Sequence, residues 1–147
     1  MSTTTLTQTK TNVGISTFRR RLLRVHGTIL FLVALAATAN LMVAQLFGAG
    51  VYGFLQQNPL AWNGLIQAYL LMMLIAGLIW LNAGDTNARR WDVVGVLAHL
   101  PPLLAVMATW GAIQAAGVGT VAIVSIAFHA IWIVIEMIAA FYPDSNR

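Results

Sequence analysis

The stretch TVAIVSIAFHAIWIVIEMIAAFY, residues 120–142, decides the fold class of this chain, because its only formally charged side chain is that of Glu136. A transmembrane helix needs roughly 20 mostly apolar residues. This stretch is long enough, and so are residues 26–47, 60–82 and 92–114. The sequence therefore predicts four transmembrane helices.

The composition places the exterior of the protein in lipid. The chain is 59% hydrophobic and only 8% charged, whereas a soluble domain carries about 25% charged residues. Such a chain has too little polar surface to cover a globule in water. It also contains no cysteine, which excludes disulfides, thiolate metal sites, iron–sulfur clusters and cysteine nucleophiles.

The links between the four apolar stretches are short and polar or rich in glycine. Residues 84–87 read Gly-Asp-Thr-Asn, and Gly117 and Gly119 mark a tighter hairpin. Short links favour antiparallel neighbours, so we predict an all-α integral membrane protein, an up-down-up-down four-helix bundle. Residues 18–147 form this domain. Residues 1–17 are rich in threonine and serine, and we expect them to be a disordered tail.

All eight lysine and arginine residues fall on one side of the predicted bundle. The loops on the other side, residues 48–59 and 115–119, carry no charge. By the positive-inside rule both termini are cytoplasmic, as is typical of a multi-pass protein of the bacterial inner (plasma) membrane. The cations are Lys10, Arg19, Arg20, Arg21, Arg24, Arg89, Arg90 and Arg147. This placement predicts contact with anionic headgroups of the lipid bilayer and no binding of nucleic acid.

Polar side chains within the predicted helices fall into two layers of depth. At 1.5 Å per residue, Asn40, Gln67 and His129 lie roughly 20 Å from the cytoplasmic ends of their helices, and His99 and Glu136 lie about 10 Å in. Ionisable groups at membrane depth mark ligand sites or proton relays. We therefore expect these five residues to form a ligand or proton cluster, in which His99 contacts Glu136.

Two prolines, Pro101 and Pro102, follow His99 directly. Proline removes an amide donor and frees a carbonyl one turn earlier. We expect a kink in the third helix at this point. The freed carbonyls either contribute to a polar site or are satisfied by neighbouring helices.

The chemistry open to these residues is limited. His129 and Glu136 are two helical turns apart, roughly 10 Å, and cannot share one ion, so no metal site is predicted. Haem b needs one or two axial histidines, for which His129, His99 and His26 are the candidates. Their depths fit a bis-histidine site poorly, because His26 lies at the mouth of the first predicted helix. No catalytic residues are predicted, since nucleophile elbows and phosphate loops are missing.

The sequence favours a small polytopic membrane protein without enzymatic activity. It is either free-standing or a subunit of a larger membrane complex, and its partners are then membrane subunits or further copies of itself. The cluster is either mainly structural or binds a small ligand. Two alternatives stay open, a haem- or quinone-linked electron-transfer subunit and a component of proton or small-solute transport.

Overall fold

The computed structural model describes the backbone of residues 5–142 and the side chains of residues 17–142. Within that range all regular structure is helical, which confirms the predicted all-α class. The helices are α1 (Thr5–Phe47), α2 (Pro59–Leu81), α3 (Arg89–Ala108), α4 (Trp110–Ala115) and α5 (Gly119–Phe141).

Four of these helices are long and apolar enough to cross a membrane: α1 from Thr17 onward, α2, α3 and α5. Large apolar side chains face outward, among them Leu60, which is 84% exposed, and Phe141, which is 71% exposed. An apolar exterior of this kind suits lipid rather than water. The up-down order and the orientation of the bundle stay predictions.

The predicted tail and domain limits are only partly within the described residues. Residues 1–4 and 143–147 lie outside them, and for residues 5–16 only the backbone is described. The disorder expected for residues 1–17 therefore stays a prediction, as does the extension of the domain to residue 147.

Local chemistry explains how the second helix begins and the first ends. Pro59 occupies the first turn of α2, where its missing N–H costs nothing, and the Asn58 side chain accepts a hydrogen bond of 3.2 Å from the amide of Ala61. This is a standard helix cap. The helix α1 ends at Phe47 because Gly48 adopts a φ of 63°, a left-handed value that suits glycine at a helix C-terminus.

The third predicted helix, residues 92–114, is divided in the structure. It begins earlier, at Arg89, and runs through Pro101 and Pro102 to Ala108. The kink expected at the proline pair stays a prediction. The helix ends at Ala108, next to Thr109, whose hydroxyl donates to the carbonyl of Ala105 at 2.8 Å.

The four long helices pack as two pairs, α1 with α2 and α3 with α5. In the first pair the two backbones approach closely at Gly27. A Cβ atom at that position would lie 2.8 Å from the carbonyl oxygen of Ala76 and 3.0 Å from the Cβ atom of Trp80. Small residues that permit such an approach are the usual means of packing helices in lipid.

This close approach predicts opposite effects for two glycine substitutions. Gly27→Ala forces the backbones apart, and overpacking of this kind costs about 1–3 kcal/mol. Gly77→Ala is the matched control, because a Cβ atom there meets no atom within 4 Å and alanine favours helix by up to about 1 kcal/mol. Thermal melts in detergent are expected to show a lower midpoint for Gly27→Ala alone. Equal midpoints for both variants would contradict the close α1–α2 contact.

Candidate functional site

Among residues 17–142, six buried polar side chains meet where the two helix pairs face each other. Helix α1 contributes two of them, α3 two and α5 two. They are Arg19, His26, Asp92, His99, His129 and Glu136. His26, Asp92, His99 and Glu136 have no exposed surface at all. Polar groups buried in an apolar environment are costly unless they satisfy one another, so this cluster is the candidate site.

Four of these side chains form a continuous row, here called the imidazole chain: Glu136, His26, His99 and His129. The Oε1 atom of Glu136 lies 2.5 Å from Nδ1 of His26. The Nε2 atoms of His26 and His99 are 2.8 Å apart. The Nδ1 atoms of His99 and His129 are also 2.8 Å apart. The row therefore crosses from α5 to α1, then to α3, and back to α5.

The three contacts of the imidazole chain differ in quality. Both histidine–histidine contacts are hydrogen bonds. The Glu136–His26 contact is an ion-pair distance without hydrogen-bond alignment, because neither oxygen of Glu136 has an aligned donor among the described residues. A buried carboxyl that lacks an aligned hydrogen-bond donor is unusual and needs an explanation. It makes Glu136 the least satisfied member of the chain.

Aromatic rings and one glycine shape the walls around the imidazole chain. The ring of Trp132 stacks on His26 with centroids 4.3 Å apart and an angle of 14° between the planes. The rings of Phe128 and His99 are arranged edge to face, with their centroids 5.6 Å apart. At Gly95, a Cβ atom would lie 2.9 Å from Cδ of Glu136. The space at Gly95 is thus what admits the carboxyl between α3 and α5.

An ion pair adjoins the Glu136 end of the chain. The Nε atom of Arg19 lies 2.8 Å from Oδ2 of Asp92, and Nη2 of Arg19 donates to the carbonyl of Ala139 at 2.8 Å. The Asp92 carboxyl also lies within electrostatic range of the Glu136 carboxyl. The Arg19–Asp92 pair therefore contributes to the electrostatic environment of Glu136.

The structure brings together three of the five residues predicted as a cluster, Glu136, His99 and His129. Asn40 and Gln67 lie elsewhere, exposed on their helices. The amide of Asn40 donates to the carbonyl of Ala36 at 2.9 Å, and that of Gln67 contacts the side chain of Asn63 at 3.5 Å. Each is satisfied within its own helix four residues back, so neither needs to face the interior.

His26 lies deeper in the bundle than the sequence predicts. The prediction places it at the mouth of the first helix, but α1 begins well before it, at Thr5, and the side chain of His26 is fully buried. As a result it stands between His99 and Glu136, which were expected to touch directly.

Arg19 and Asp92 were not singled out from the sequence. The spacing of polar residues along both helices would have pointed to them. Arg19 and His26 are seven residues apart, as are Asp92 and His99, and this spacing puts each pair on one helical face.

The three haem-ligand candidates, His26, His99 and His129, are the imidazoles of this chain. His26 and His99 use both ring nitrogens in the contacts described above, and His129 uses only Nδ1. An axial bond from His26 or His99 would therefore replace one of these contacts. Across residues 17–142, no group of three or more histidine or acidic side chains is arranged to hold a metal ion.

Two aspartates close to each other in sequence have opposite environments. Asp92 is buried against Arg19, whereas Asp85 lies in the turn between α2 and α3. There the amide of Asn87 donates to Asp85 at 3.0 Å and the guanidinium of Arg90 pairs with it. These partners, the amide first, hold the pKa of Asp85 below its usual value.

This contrast gives a matched pair of substitutions. Asp92→Asn removes the carboxylate of the buried Arg19–Asp92 ion pair, and removing one partner of a buried pair costs about 3 kcal/mol. Asp85→Asn weakens an ion pair at the surface, where the Arg90 side chain is 58% exposed, and is expected to leave the melting midpoint nearly unchanged. Melts of both variants in detergent test this. Similar midpoints for the two variants would show that the Arg19–Asp92 pair does not stabilise the fold.

Comparison with protein-family models, with curated proteins and with solved structures found no significant match to this chain. The assignment of a function therefore rests on the side-chain geometry of the buried cluster.

Proposed function

We propose that this chain is a multi-pass membrane protein in which the imidazole chain is a proton relay. The observation that supports the proposal most is the unbroken row of three contacts, each 2.5–2.8 Å long, between buried titratable groups. Rows of acids and histidines inside membranes are typical of proton pathways. The apolar helices that surround the row indicate a protein in contact with the lipid bilayer.

An imidazole can pass a proton on because it accepts at one nitrogen and donates from the other. Suppose that Glu136 is ionised and the three histidines are neutral. Each of the three contacts can then hold one proton, with His26 donating toward Glu136, His99 toward His26, and His129 toward His99. The donors all point toward the carboxylate.

Adding one proton at Nε2 of His129 reverses the whole row. The three shared protons each move to the neighbouring atom, and Glu136 ends up protonated. Every contact again holds one proton, and no histidine is left as a buried cation, which would be costly. The two end states differ by one proton, and that proton has in effect crossed from His129 to Glu136.

The Arg19–Asp92 pair gives the Glu136 end a reason to exchange protons. Two carboxylates beside one guanidinium carry one excess negative charge, which a single proton removes. This end is also nearest to the arginine-rich side of the bundle. By the positive-inside rule it faces the cytoplasm, with both termini on that side of the inner membrane.

Proton flux into vesicles tests the relay. The protein reconstituted in liposomes with a trapped pH dye is expected to conduct protons under a valinomycin-imposed potassium potential. His99→Asn keeps a polar side chain but has no second nitrogen with which to pass a proton on. We expect its flux to fall to that of protein-free vesicles. Gln67→Ala is the control, because Gln67 lies outside the imidazole chain. Wild-type flux at the protein-free level, or flux unchanged in His99→Asn, would refute the relay.

Nitrogen NMR separates a relay from a purely structural network. In lipid, ¹⁵N-histidine spectra are expected to show the donor nitrogen switching on all three histidines over one shared pH interval, because the row reverses as a unit. A structural network predicts fixed tautomers instead. Three fixed tautomers, or three independent titrations, would contradict the relay.

A haem-linked electron-transfer subunit is the second candidate function, and the convergence of three histidines from three helices favours it. Its test is the visible spectrum of protein produced with full haem supply. A Soret band that disappears in His129→Ala would support haem ligation, since His129 keeps Nε2 outside the contacts of the imidazole chain. A spectrum without a Soret band eliminates this candidate.

A further inference from the structure

A second feature lies toward the opposite end of α5 from Glu136. It is a cavity of about 460 Å³ between the two helix pairs. Its walls come from the loop before α2 and from α2, α3, α4 and α5. Polar atoms are contributed by Tyr52, Tyr69, Thr109 and Ser125. The volume falls within the range of small-molecule sites, about 300–1,000 Å³.

The lining of the cavity selects for an uncharged occupant. None of the residues that line it is acidic, basic or a histidine, and most are aliphatic, such as Leu65, Val106 and Val121. Moving a charged ligand into such a site would cost far more than any single contact returns. Aliphatic walls instead favour a lipophilic molecule that reaches the site from the bilayer.

The two tyrosines provide a single directed polar contact. Their hydroxyl oxygens are 2.8 Å apart, and one hydroxyl donates to the other. Two hydroxyl groups carry two hydrogens, so one hydrogen remains after this bond forms. Neither hydroxyl has another hydrogen-bond partner among residues 17–142. The remaining hydrogen is therefore available to an acceptor on a ligand.

The other two hydroxyl groups play smaller parts. Thr109 already donates to the carbonyl of Ala105. Ser125 precedes His129 by one helical turn and so lies on the same face of α5. The cavity thus adjoins the His129 end of the imidazole chain, but its ligand chemistry does not depend on the relay.

We infer that this cavity binds an uncharged, lipophilic carbonyl compound, of the size of a two- or three-ring ketone or quinone, whose carbonyl oxygen accepts the spare hydrogen of the Tyr52–Tyr69 pair. The apolar body of the ligand packs on the aliphatic walls. The carbonyl fixes its orientation. No chemical step on the ligand is implied.

Photolabelling with benzophenone tests the site directly, because benzophenone is itself a neutral lipophilic ketone. The full-length protein in lipid nanodiscs is irradiated with the probe, and labelled peptides are mapped by mass spectrometry. Saturable labelling is expected at residues that line the cavity, around Tyr52–Leu55 and Val121–Ser125. Labelling spread evenly over the lipid-facing helices would overturn the proposal.

A pair of competitors tests the role of the carbonyl. Fluorenone and fluorene have nearly the same shape, but only fluorenone has a carbonyl. Fluorenone is expected to displace the probe at about fivefold lower concentration than fluorene does. A ratio of this size corresponds to the net contribution of one hydrogen bond. In the double variant Tyr52→Phe/Tyr69→Phe, which has no hydroxyl left to donate the spare hydrogen, this preference is expected to shrink toward equality.

Two controls keep these outcomes interpretable. Thr28→Val, whose hydroxyl bonds to its own helix at Arg24 away from the cavity, should leave the preference unchanged. Detergent melts show whether the double variant Tyr52→Phe/Tyr69→Phe is still folded. If the folded double variant retains the full fluorenone preference, the tyrosine pair does not recognise the carbonyl and the inference is wrong.

Discussion

The Glu136–His26 contact joins the two helix pairs of this protein, and much of the arrangement depends on it. Within each pair, apolar and small side chains supply close packing. Between α1 and the α3–α5 pair, the described links include His26–Glu136, His26–His99 and Arg19–Asp92. In hydrocarbon, apolar surfaces gain little by preferring one another over lipid. Polar contacts that have no alternative partner in lipid are therefore what fix the register of one pair against the other.

The same groups are suited to the proposed transfer of protons because two of their contacts are aligned hydrogen bonds and the third is not aligned. The histidine–histidine bonds hold the rings in place, and each ring can exchange its donor and acceptor nitrogens without moving. The carboxyl of Glu136, by contrast, lies close to His26 without an aligned bond. A small rotation of that one group can open or close the last contact. The same contacts can therefore both stabilise the fold and serve the proposed movement of protons.

Hydropathy was enough to predict the helical class and the four apolar stretches. It was not enough to predict which face each polar residue takes. Depth along a helix follows from counting residues, but Asn40 and Gln67 show that two groups at the right depth can be satisfied along their own helices and remain outside the site. Helix ends were a second source of error. The apolar run starts at His26, yet the helix includes the arginines before it. Arg19 can lie inside the bundle because it pairs with Asp92 and donates to a backbone carbonyl there.

The distribution of charge makes the two ends of the bundle chemically different. Acids, histidines and Arg19 occupy the half that contains Glu136, whereas the cavity near Ser125 is lined only by uncharged residues. The free nitrogen of His129 lies one turn from that cavity. If the proposed relay and the proposed ligand site are both correct, Nε2 of His129 is the group that lies between them. Any coupling between the two sites would then be reciprocal in binding free energy, although neither site needs the other for its own chemistry.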